Sequence, residues 1–260
     1  MQIDNLMSST ALEPPRLPFK LIFVFHSCFI LETDAAAVIF DFFRDTTSDF
    51  VFNFVRNTNK HIYFVNSHAH PDHFSQSLFD VISDADADVK VILSRDIKIK
   101  LDEKQRAQVT RFIKLNEVYK DDFIKLTACP STDVGLSFAV EMNGITAYHA
   151  GDNNNWYMPY ETDTQKHAFM EKSFLATIDS IKQCFPHFNL VMFPVDPRLE
   201  NEIYRGVNQF LGQITTDYFV PMHLWGDYDI PAKTALALRQ YGCKVLINDN
   251  KDKVLINNLL

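Results

Sequence analysis

The sequence predicts an α/β (α+β) fold in which two mixed sheets are covered by helices on their outer faces. Three observations support this prediction. Short apolar strands come first as a meander, strand-like and helical stretches then alternate, and 47% of the 260 residues are hydrophobic, enough for a sizeable core. No fixed-period repeat or linker is evident. We therefore expect one domain over residues 19–260, preceded by a polar leader or surface arm at residues 1–18.

Composition restricts the classes of partner. The net charge of −8 argues against a nucleic-acid surface, which would show a basic patch. The longest apolar run, residues 21–31, is too short to span a membrane, and no signal peptide is evident. We expect a cytoplasmic protein that acts on a small molecule, with no nucleic-acid or membrane partner; a homo-oligomer is left open. The four cysteines form no CxxC pair and are expected to be reduced: Cys28, Cys129, Cys184 and Cys243.

The first strands are predicted at residues 21–25, 29–31 and 37–41. His26 falls in the break between the first two strands, where it either lines a cleft or is a satisfied buried histidine. Asp41 ends the third strand. Its carboxylate either points into the same cleft or caps a turn. The sequence leaves both alternatives open.

The next segment carries the densest group of metal-capable side chains. A short helix is expected at residues 48–58 and a buried strand at Ile62–Val65. The strand is followed directly by Ser67-His-Ala-His-Pro-Asp-His-Phe74 and then by a helical stretch to Ser83. Imidazole and carboxylate are common ligands of zinc, iron and manganese. We interpret this loop as a metal site rather than as an exposed polar loop.

The remaining elements follow in alternation. The pair Asn143-Gly144 between two apolar runs is typical of a β-hairpin. Strands are also predicted at 89–93, 123–126, 136–141, 145–149, 189–193, 218–220 and 243–247. Helices are predicted at 163–183, 200–213 and 231–241, and short helices and surface loops at 96–118.

Three strand ends therefore carry metal-capable groups, and together they resemble a known family. His68-Ala-His-Pro-Asp-His73 resembles the HxHxDH signature of the metallo-β-lactamase superfamily. Gly151-Asp152 resembles its bridging aspartate, and Pro221-Met-His223 resembles its late histidine. Within the superfamily, the sequence looks most like the ascorbate-6-phosphate lactonase-like branch. The resemblance implies a four-layer αββα sandwich with a dinuclear site at the edges of the two sheets.

The resemblance also implies a ligand set. His68 and His70 would hold a first ion. A second ion would be held by Asp72, His73 and His223, and Asp152 would bridge the two. The cofactor would be one or two divalent ions per chain, with zinc favoured and manganese or iron as alternatives.

One departure from the family pattern concerns the first ion. A further histidine is usual between the HxHxDH motif and the bridging aspartate, but residues 127–135 contain none. Asp133 is the nearest replacement, although a turn-capping carboxylate is slightly favoured over a ligand. Cys129 is a weaker candidate, and a buried thiol is favoured. His149 lies three residues before Asp152, so on a strand it faces the opposite side and is expected to support a ligand or to lie in the core.

The ligand set leads to a hypothesis of function. We expect a metal-dependent hydrolase that uses a metal-bound hydroxide on a small, anionic ester, lactone or phosphoester. Asp72 is the candidate catalytic residue, as ligand and proton guide. Arg198 is a candidate for binding the substrate anion or for a structural ion pair, and Trp225 and Trp156 could form walls of the pocket. The alternatives are a phosphodiesterase or nuclease of the same superfamily and a non-catalytic metal-binding protein with a degenerate first site.

Overall fold

Two seven-stranded mixed sheets face each other in a computed structural model. The structure describes residues 18–43, 49–83, 85, 87–249 and 253–257. The leader predicted at residues 1–18 lies outside these ranges except for Pro18. The strands are β1 Lys20–Phe25, β2 Cys28–Glu32, β3 Ala36–Phe40, β4 His61–Asn66, β5 Val89–Ser94, β6 Arg111–Ile113, β7 Val118–Lys120, β8 Lys125–Cys129, β9 Ser137–Met142, β10 Ile145–His149, β11 His187–Pro194, β12 Thr215–Met222, β13 Lys244–Val245 and β14 Val254–Asn257.

The two sheets have the same internal organisation. The first runs β14-β1-β2-β3-β4-β5-β6 and the second β13-β12-β11-β10-β9-β8-β7. In the first, the pairings from β14 to β3 are antiparallel and those from β3 to β6 are parallel. In the second, the pairings from β7 to β10 are antiparallel and those from β10 to β13 are parallel. Parallel strands require crossovers, and the helices described next lie in them.

Helices cover the sheets. The α-helices are α1 Phe50–Arg56, α2 Leu78–Ser83, α3 Glu103–Ala107, α4 Thr164–Cys184, α5 Arg205–Leu211 and α6 Ile230–Ala237, with 3₁₀ turns at Arg95–Lys100, Pro197–Glu202 and Arg239–Tyr241. Buried residues of α1 and α2 share one hydrophobic cluster with the first sheet. Buried residues of α4 and α5 share the other cluster with the second sheet. The predicted αββα layering is confirmed.

The strands are continuous apolar runs because both faces of each sheet are buried. In β1, Leu21 and Phe23 join the cluster between the sheets, while Ile22 and Val24 join the cluster under α1 and α2. This alternation is the two-residue period of a strand. It explains the many phenylalanines: residues such as Phe29, fully buried, fill the space between the sheets.

The Asn143-Gly144 hairpin is confirmed. Its two central residues have φ of 46° and 77°, and Ile145 pairs with Met142 across the turn. Positive φ at both positions is what a two-residue turn of this hand needs, and Asn-Gly accepts it at low cost.

Several boundaries differ from the predictions. The strand predicted at 123–126 begins at Lys125, because the Asp121 carboxylate accepts the backbone N–H groups of Phe123 and Ile124 (2.9 and 3.0 Å) and closes a turn there. The stretch 96–118 also contains β6, and β7 begins at its last residue; each strand has three residues. The helix predicted at 200–213 starts only at Arg205.

The C-terminal segment differs most. We expected residues 243–247 to be the last strand, but β13 is only two residues long. The chain then contributes β14, which pairs antiparallel with β1 in the first sheet. Among the helices of the described residues, none combines the length and the apolar character that a bilayer crossing requires.

Candidate metal centre

Strand ends from both sheets meet at one edge and supply the polar side chains of the site. The loop after β4 carries residues 67–73, and Asp152 follows β10 by three positions. Asp196 and His223 follow β11 and β12, which pair in parallel. His26 comes from the turn between β1 and β2. Carboxyl ends of parallel strands commonly build sites in this way, so the topology brings together residues that are far apart in sequence.

Seven of these side chains form two groups of potential metal ligands. In each group, one ligand atom per residue can be chosen so that all lie within 4.8 Å of one another. The first group is His68, His70 and Asp152. The second is His26, Asp72, His73 and His223. The structure thus places all six residues of the implied ligand set in these groups and adds His26.

Asp152 lies between the two groups. Its Oδ2 is 3.4 Å from His68 Nε2 and 3.9 Å from His70 Nδ1. Its Oδ1 is 3.0 Å from His73 Nε2 and 3.4 Å from His223 Nε2. One carboxylate oxygen therefore faces each group, as expected of a bridging ligand. The Trp156 indole N–H donates to the Asp152 carbonyl at 2.8 Å and holds this part of the chain in place.

Asp41 orients two of the histidines from behind. This fully buried carboxylate accepts the backbone N–H and the hydroxyl of Ser67, at 2.7 and 2.8 Å, and His73 Nδ1 at 2.7 Å. Because the Ser67 hydroxyl donates to Asp41, its oxygen accepts from His68 Nδ1 at 2.9 Å. Asp41 belongs to neither ligand group among the described residues. The structure places it as a support of His73 and, through Ser67, of His68.

Asp196 orients His223 in the same way. Its Oδ2 accepts from His223 Nδ1 at 2.7 Å and from the Trp225 indole N–H at 3.1 Å. Arg198 donates three further side-chain hydrogen bonds to this carboxylate, from Nε to both oxygens and from Nη2 to Oδ2. Burial favours the neutral acid, but the bonds from His223 and Arg198 lower the pKa of Asp196 to about 2. Carboxylates that fix a ligating imidazole are typical of metal sites.

These hydrogen bonds leave three imidazole lone pairs facing one space. With Nδ1 of His68, His73 and His223 donating, each Nε2 carries a lone pair. Within the described part of the chain, all three Nε2 atoms are buried without a hydrogen-bond partner, as is Asp152 Oδ1. Lone pairs so close to carboxylate oxygens repel one another unless a metal ion or a proton lies between them. The donor set therefore fits a divalent ion.

The electrostatics of the cluster show that it requires positive charge, which protons on the imidazoles supply when no ion is bound. Burial would lower the pKa of His73, but the Asp152 and Asp41 carboxylates raise it well above its usual value. Burial would raise the pKa of Asp152, but His73, His68 and His70 hold it well below its usual value. Asp72 is likewise held well below its usual pKa by His223 and His26, against the effect of burial. The site strongly favours ionised carboxylates surrounded by positive charge.

The cluster also contains unusual backbone geometry. Four non-glycine residues in and around it have positive φ: His26 (55°), Asp41 (44°), His223 (64°) and Trp225 (51°). This region costs most L-residues on the order of 1–2 kcal/mol each. Such strain collects at functional sites, where surrounding structure holds it in place.

His149 lies outside both groups. Its Nε2 donates to the Ser27 carbonyl at 2.8 Å, and its Nδ1 accepts the Gly151 N–H at 3.2 Å. The ring stacks on Phe40 with a centroid distance of 4.8 Å. Both nitrogens are thus used by the backbone, which leaves no lone pair for an ion.

The two candidates for the missing histidine also lie outside the first group as the structure describes it. Asp133 lines the cleft beside His70, but its Oδ1 accepts the N–H of Val134 at 2.8 Å, as a turn cap would. Cys129 is buried, and burial raises the pKa of its thiol to about 12. A thiol with this pKa is a poor source of thiolate.

The cleft above the two groups has a volume of about 400 Å³. Arg198 lies at its wall between two indoles, with its guanidinium carbon 4.8 Å from the Trp225 ring centroid and 5.8 Å from that of Trp156. Its side chain is 48% exposed. The salt bridge to Asp196 thus coexists with an accessible guanidinium edge, so the two alternatives considered for Arg198 are compatible.

Sequence reasoning missed Asp196 and Ser67 as parts of the site. Asp196 also caps a 3₁₀ turn by accepting the Arg198 N–H at 2.8 Å, and an Asp-Pro pair after a strand is typical of such a cap. Its position at the end of the strand next to β12 was the signal that could have linked it to His223. Ser67 offered no signal beyond its place next to His68.

Comparisons with known proteins support the fold. No protein-family model matches the sequence, and no curated protein matches it significantly. Among solved structures, Igni18, a metallo hydrolase from the archaeon Ignicoccus hospitalis, is similar with a TM-score of 0.63, 17% identity, and coverage of 88% of this chain and 94% of that one. A protein from Parabacteroides distasonis assigned as a metal-dependent hydrolase has a TM-score of 0.59, 14% identity, and coverage of 87% and 91%.

A third similar structure is CmlA, a diiron β-hydroxylase from Streptomyces venezuelae, with a TM-score of 0.61 and 12% identity; the match covers 89% of this chain and 53% of CmlA. At these identities the likeness is one of fold. The chain has a two-sheet αββα architecture similar to that of these metallo hydrolases, with a histidine–aspartate cluster at the sheet edge.

Proposed function

We propose that the protein is a divalent-metal-dependent hydrolase of a small anionic substrate. The observation that carries this proposal is the pair of ligand groups that share Asp152 at the floor of an open cleft. Four imidazole nitrogens and one carboxylate oxygen lie buried there, and none has a hydrogen-bond partner among the described residues. The likeness in fold to metallo hydrolases adds support. Zinc is the first candidate metal, and manganese and iron are the alternatives.

The bound ions would acidify a water to a pKa of about 7 and polarise the substrate oxygen. The residues of the chain have separate tasks. His68 and His70 would bind on one side of Asp152, and Asp72, His73 and His223 on the other. Asp41 and Asp196 keep three of these imidazoles in the tautomer that presents Nε2. Asp72 is 26% exposed and faces the cleft, so it is placed to accept a hydrogen bond from an incoming water and to orient it.

An anionic group on the substrate is supported by Arg198. Asp196 uses the Nε and Nη2 atoms of this guanidinium, so Nη1 remains for a second partner. A fixed guanidinium edge suits carboxylate or phosphate. Trp156 and Trp225 form apolar walls on either side. The substrate that fits best combines an anionic group with a small apolar body and a hydrolysable ester or lactone bond. The narrower resemblance to ascorbate-6-phosphate lactonases stays a prediction.

The test combines metal content with hydrolysis, using His70→Ala. Protein is purified from media supplemented with zinc, manganese or iron, and its metal is counted by mass spectrometry. Hydrolysis is measured on matched anionic and neutral 4-nitrophenyl esters, a carboxylated lactone and bis(4-nitrophenyl) phosphate. The wild type should bind metal and should prefer the anionic ester or lactone. His70→Ala should lower kcat/KM by about 10²-fold or more, because losing one ion removes several kcal/mol of charge stabilisation.

His187→Ala is the matched control. Its side chain and that of His70 are equally exposed, at 45%, but His187 pairs with Asp217, away from the cleft. The control should keep both metal and activity. A wild type free of metal after growth in replete medium would disprove the proposal. Two bound ions without turnover of any substrate would favour the non-catalytic alternative, and a preference for the phosphodiester would favour the nuclease alternative.

A further inference from the structure

We propose that the two ions are held unequally: His26 is an additional ligand of the second group, which retains its ion, whereas the first group releases its ion readily. This inference rests on the metal binding in the proposed function but not on hydrolysis. It concerns His26, which is not in the implied ligand set, and the first group, which lacks the further histidine that is usual in the family.

His26 is aimed into the second group. It is 5% exposed, and its Nε2 is buried without a hydrogen-bond partner in the part of the chain that the structure describes. That nitrogen lies 3.4 Å from Asp72 Oδ2, and the His26 ring centroid is 4.2 Å from that of His223. A buried imidazole nitrogen with no partner costs free energy. Because this one lies among three metal-capable side chains, we infer that its partner is a metal ion.

The backbone holds His26 in this position. The residue has φ of 55°, and its carbonyl accepts the N–H of His223 at 3.3 Å. The adjacent Ser27 carbonyl accepts from His149 Nε2 at 2.8 Å. The turn between β1 and β2 is thereby tied to the ends of β10 and β12. Two strand ends of the second sheet thus fix an imidazole that belongs to the first sheet.

The two groups then differ in the number of protein ligands. The second would use three imidazoles, one carboxylate of its own and Asp152 Oδ1, which together nearly complete the coordination of a divalent ion. The first would use His68, His70 and Asp152 Oδ2 only. Asp133, turned toward Val134 N–H, does not add a fourth. Sites closed by protein ligands hold their ion for structure, whereas catalytic sites keep open positions.

The first group also has the more exposed ligand. His26, His73 and His223 are buried, whereas the His70 side chain is 45% exposed and borders the cleft. The most exposed ligand of the second group, Asp72, is 26% exposed, so an ion in the first group is more open to solvent and chelators than an ion in the second.

The test is release of zinc from the intact protein into increasing concentrations of chelator. In the wild type, one ion per chain should leave first and the second should need a chelator concentration at least about tenfold higher. His26→Asn should release the retained ion at a chelator concentration about 10- to 100-fold lower than in the wild type. Asparagine tolerates positive φ, so the turn is preserved while the imidazole is removed. His70→Ala should lose the exchangeable ion and keep the retained one.

X-ray absorption at the zinc edge provides a second measurement that needs no variant. The one-ion form of the wild type should show three imidazole ligands, from His26, His73 and His223. Simultaneous release of both ions, unchanged retention in His26→Asn, or only two imidazoles in the one-ion form would each overturn the inference. Absence of any bound zinc would overturn both this inference and the proposed function. Unequal binding without hydrolysis would overturn the proposed function alone.

Discussion

Replacing Asp152 with asparagine is expected to remove metal from both groups and to lower kcat/KM by at least about 10³-fold. The asparagine amide has the same shape, but it carries no charge and has only one acceptor atom. An N–H₂ donor would then replace either Oδ1, which is 3.0 Å from His73 Nε2, or Oδ2, which is 3.4 Å from His68 Nε2. Loss of the shared carboxylate weakens the binding of both ions at once. The rate factor of about 10³ corresponds to the several kcal/mol of charge stabilisation that the ions would supply.

Asp133→Asn is the matched control for Asp152→Asn. Asp133 lies in the same cleft but in neither ligand group of the described residues, so the control should keep both ions and should lose no more than severalfold in activity. Metal content per chain and kcat/KM are measured for both variants, with circular dichroism as the check of folding. Two ions retained in Asp152→Asn would show that this residue is not the bridge. Loss of an ion in Asp133→Asn would identify Asp133 as the missing ligand of the first group.

Replacing Gly135 with alanine is expected to destabilise the fold by about 2–5 kcal/mol and to displace His68. Gly135 has φ of 83°, and a Cβ there would lie 2.2 Å from the Ser67 carbonyl oxygen and 2.4 Å from His68 Cβ. The penalty combines backbone strain of about 1–2 kcal/mol with overpacking of about 1–3 kcal/mol. Because the neighbouring atoms include backbone of the metal-binding loop, the loop must shift. The first group should therefore lose affinity for its ion.

Gly144→Ala separates strain from overpacking. Gly144 has φ of 77°, and a Cβ at this position would have no atom of the described residues within 4 Å beyond its chain neighbours. Only the backbone strain therefore applies there, about 1–2 kcal/mol. Free energies of unfolding from urea titrations, together with zinc content, are compared for the two variants. Equal losses of stability in the two variants, with zinc retained in Gly135→Ala, would show that the close approach of residue 135 to the loop affects neither stability nor metal binding.

The layers of the fold followed from the sequence because both faces of each sheet are buried. The apolar runs were long enough to mark most strands and helices. The three-residue strands β6 and β7 carry too few residues to show a period, and β14 pairs with β1 across the whole length of the chain. Such a pairing depends on where the chain returns in space. Local pattern does not contain that information.

The residues of the candidate site also fall into those that the sequence predicted and those that it did not. His68, His70, Asp72 and His73 lie in one loop, so their spacing alone indicated a metal site. Asp152 and His223 were inferred because each follows a strand and because the motifs around them resemble those of the metallo-β-lactamase superfamily. His26, Asp41 and Asp196 were ambiguous or missed because the partner of each is remote: His26 meets His223, Asp41 meets His73, and Asp196 meets His223. Only the packing of the two sheets decides which of these side chains face the ions and which hold the ligands from behind.

The most direct test of the two-ion site is anomalous diffraction from crystals of the metal-replete protein. The predicted result is two peaks in the cleft about 3.5–4 Å apart, with Asp152 touching both. His68 and His70 should coordinate one ion, and Asp72, His73 and His223 the other, with His26 as its additional ligand. No peak in the cleft, or a single peak that Asp152 does not touch, would contradict the account.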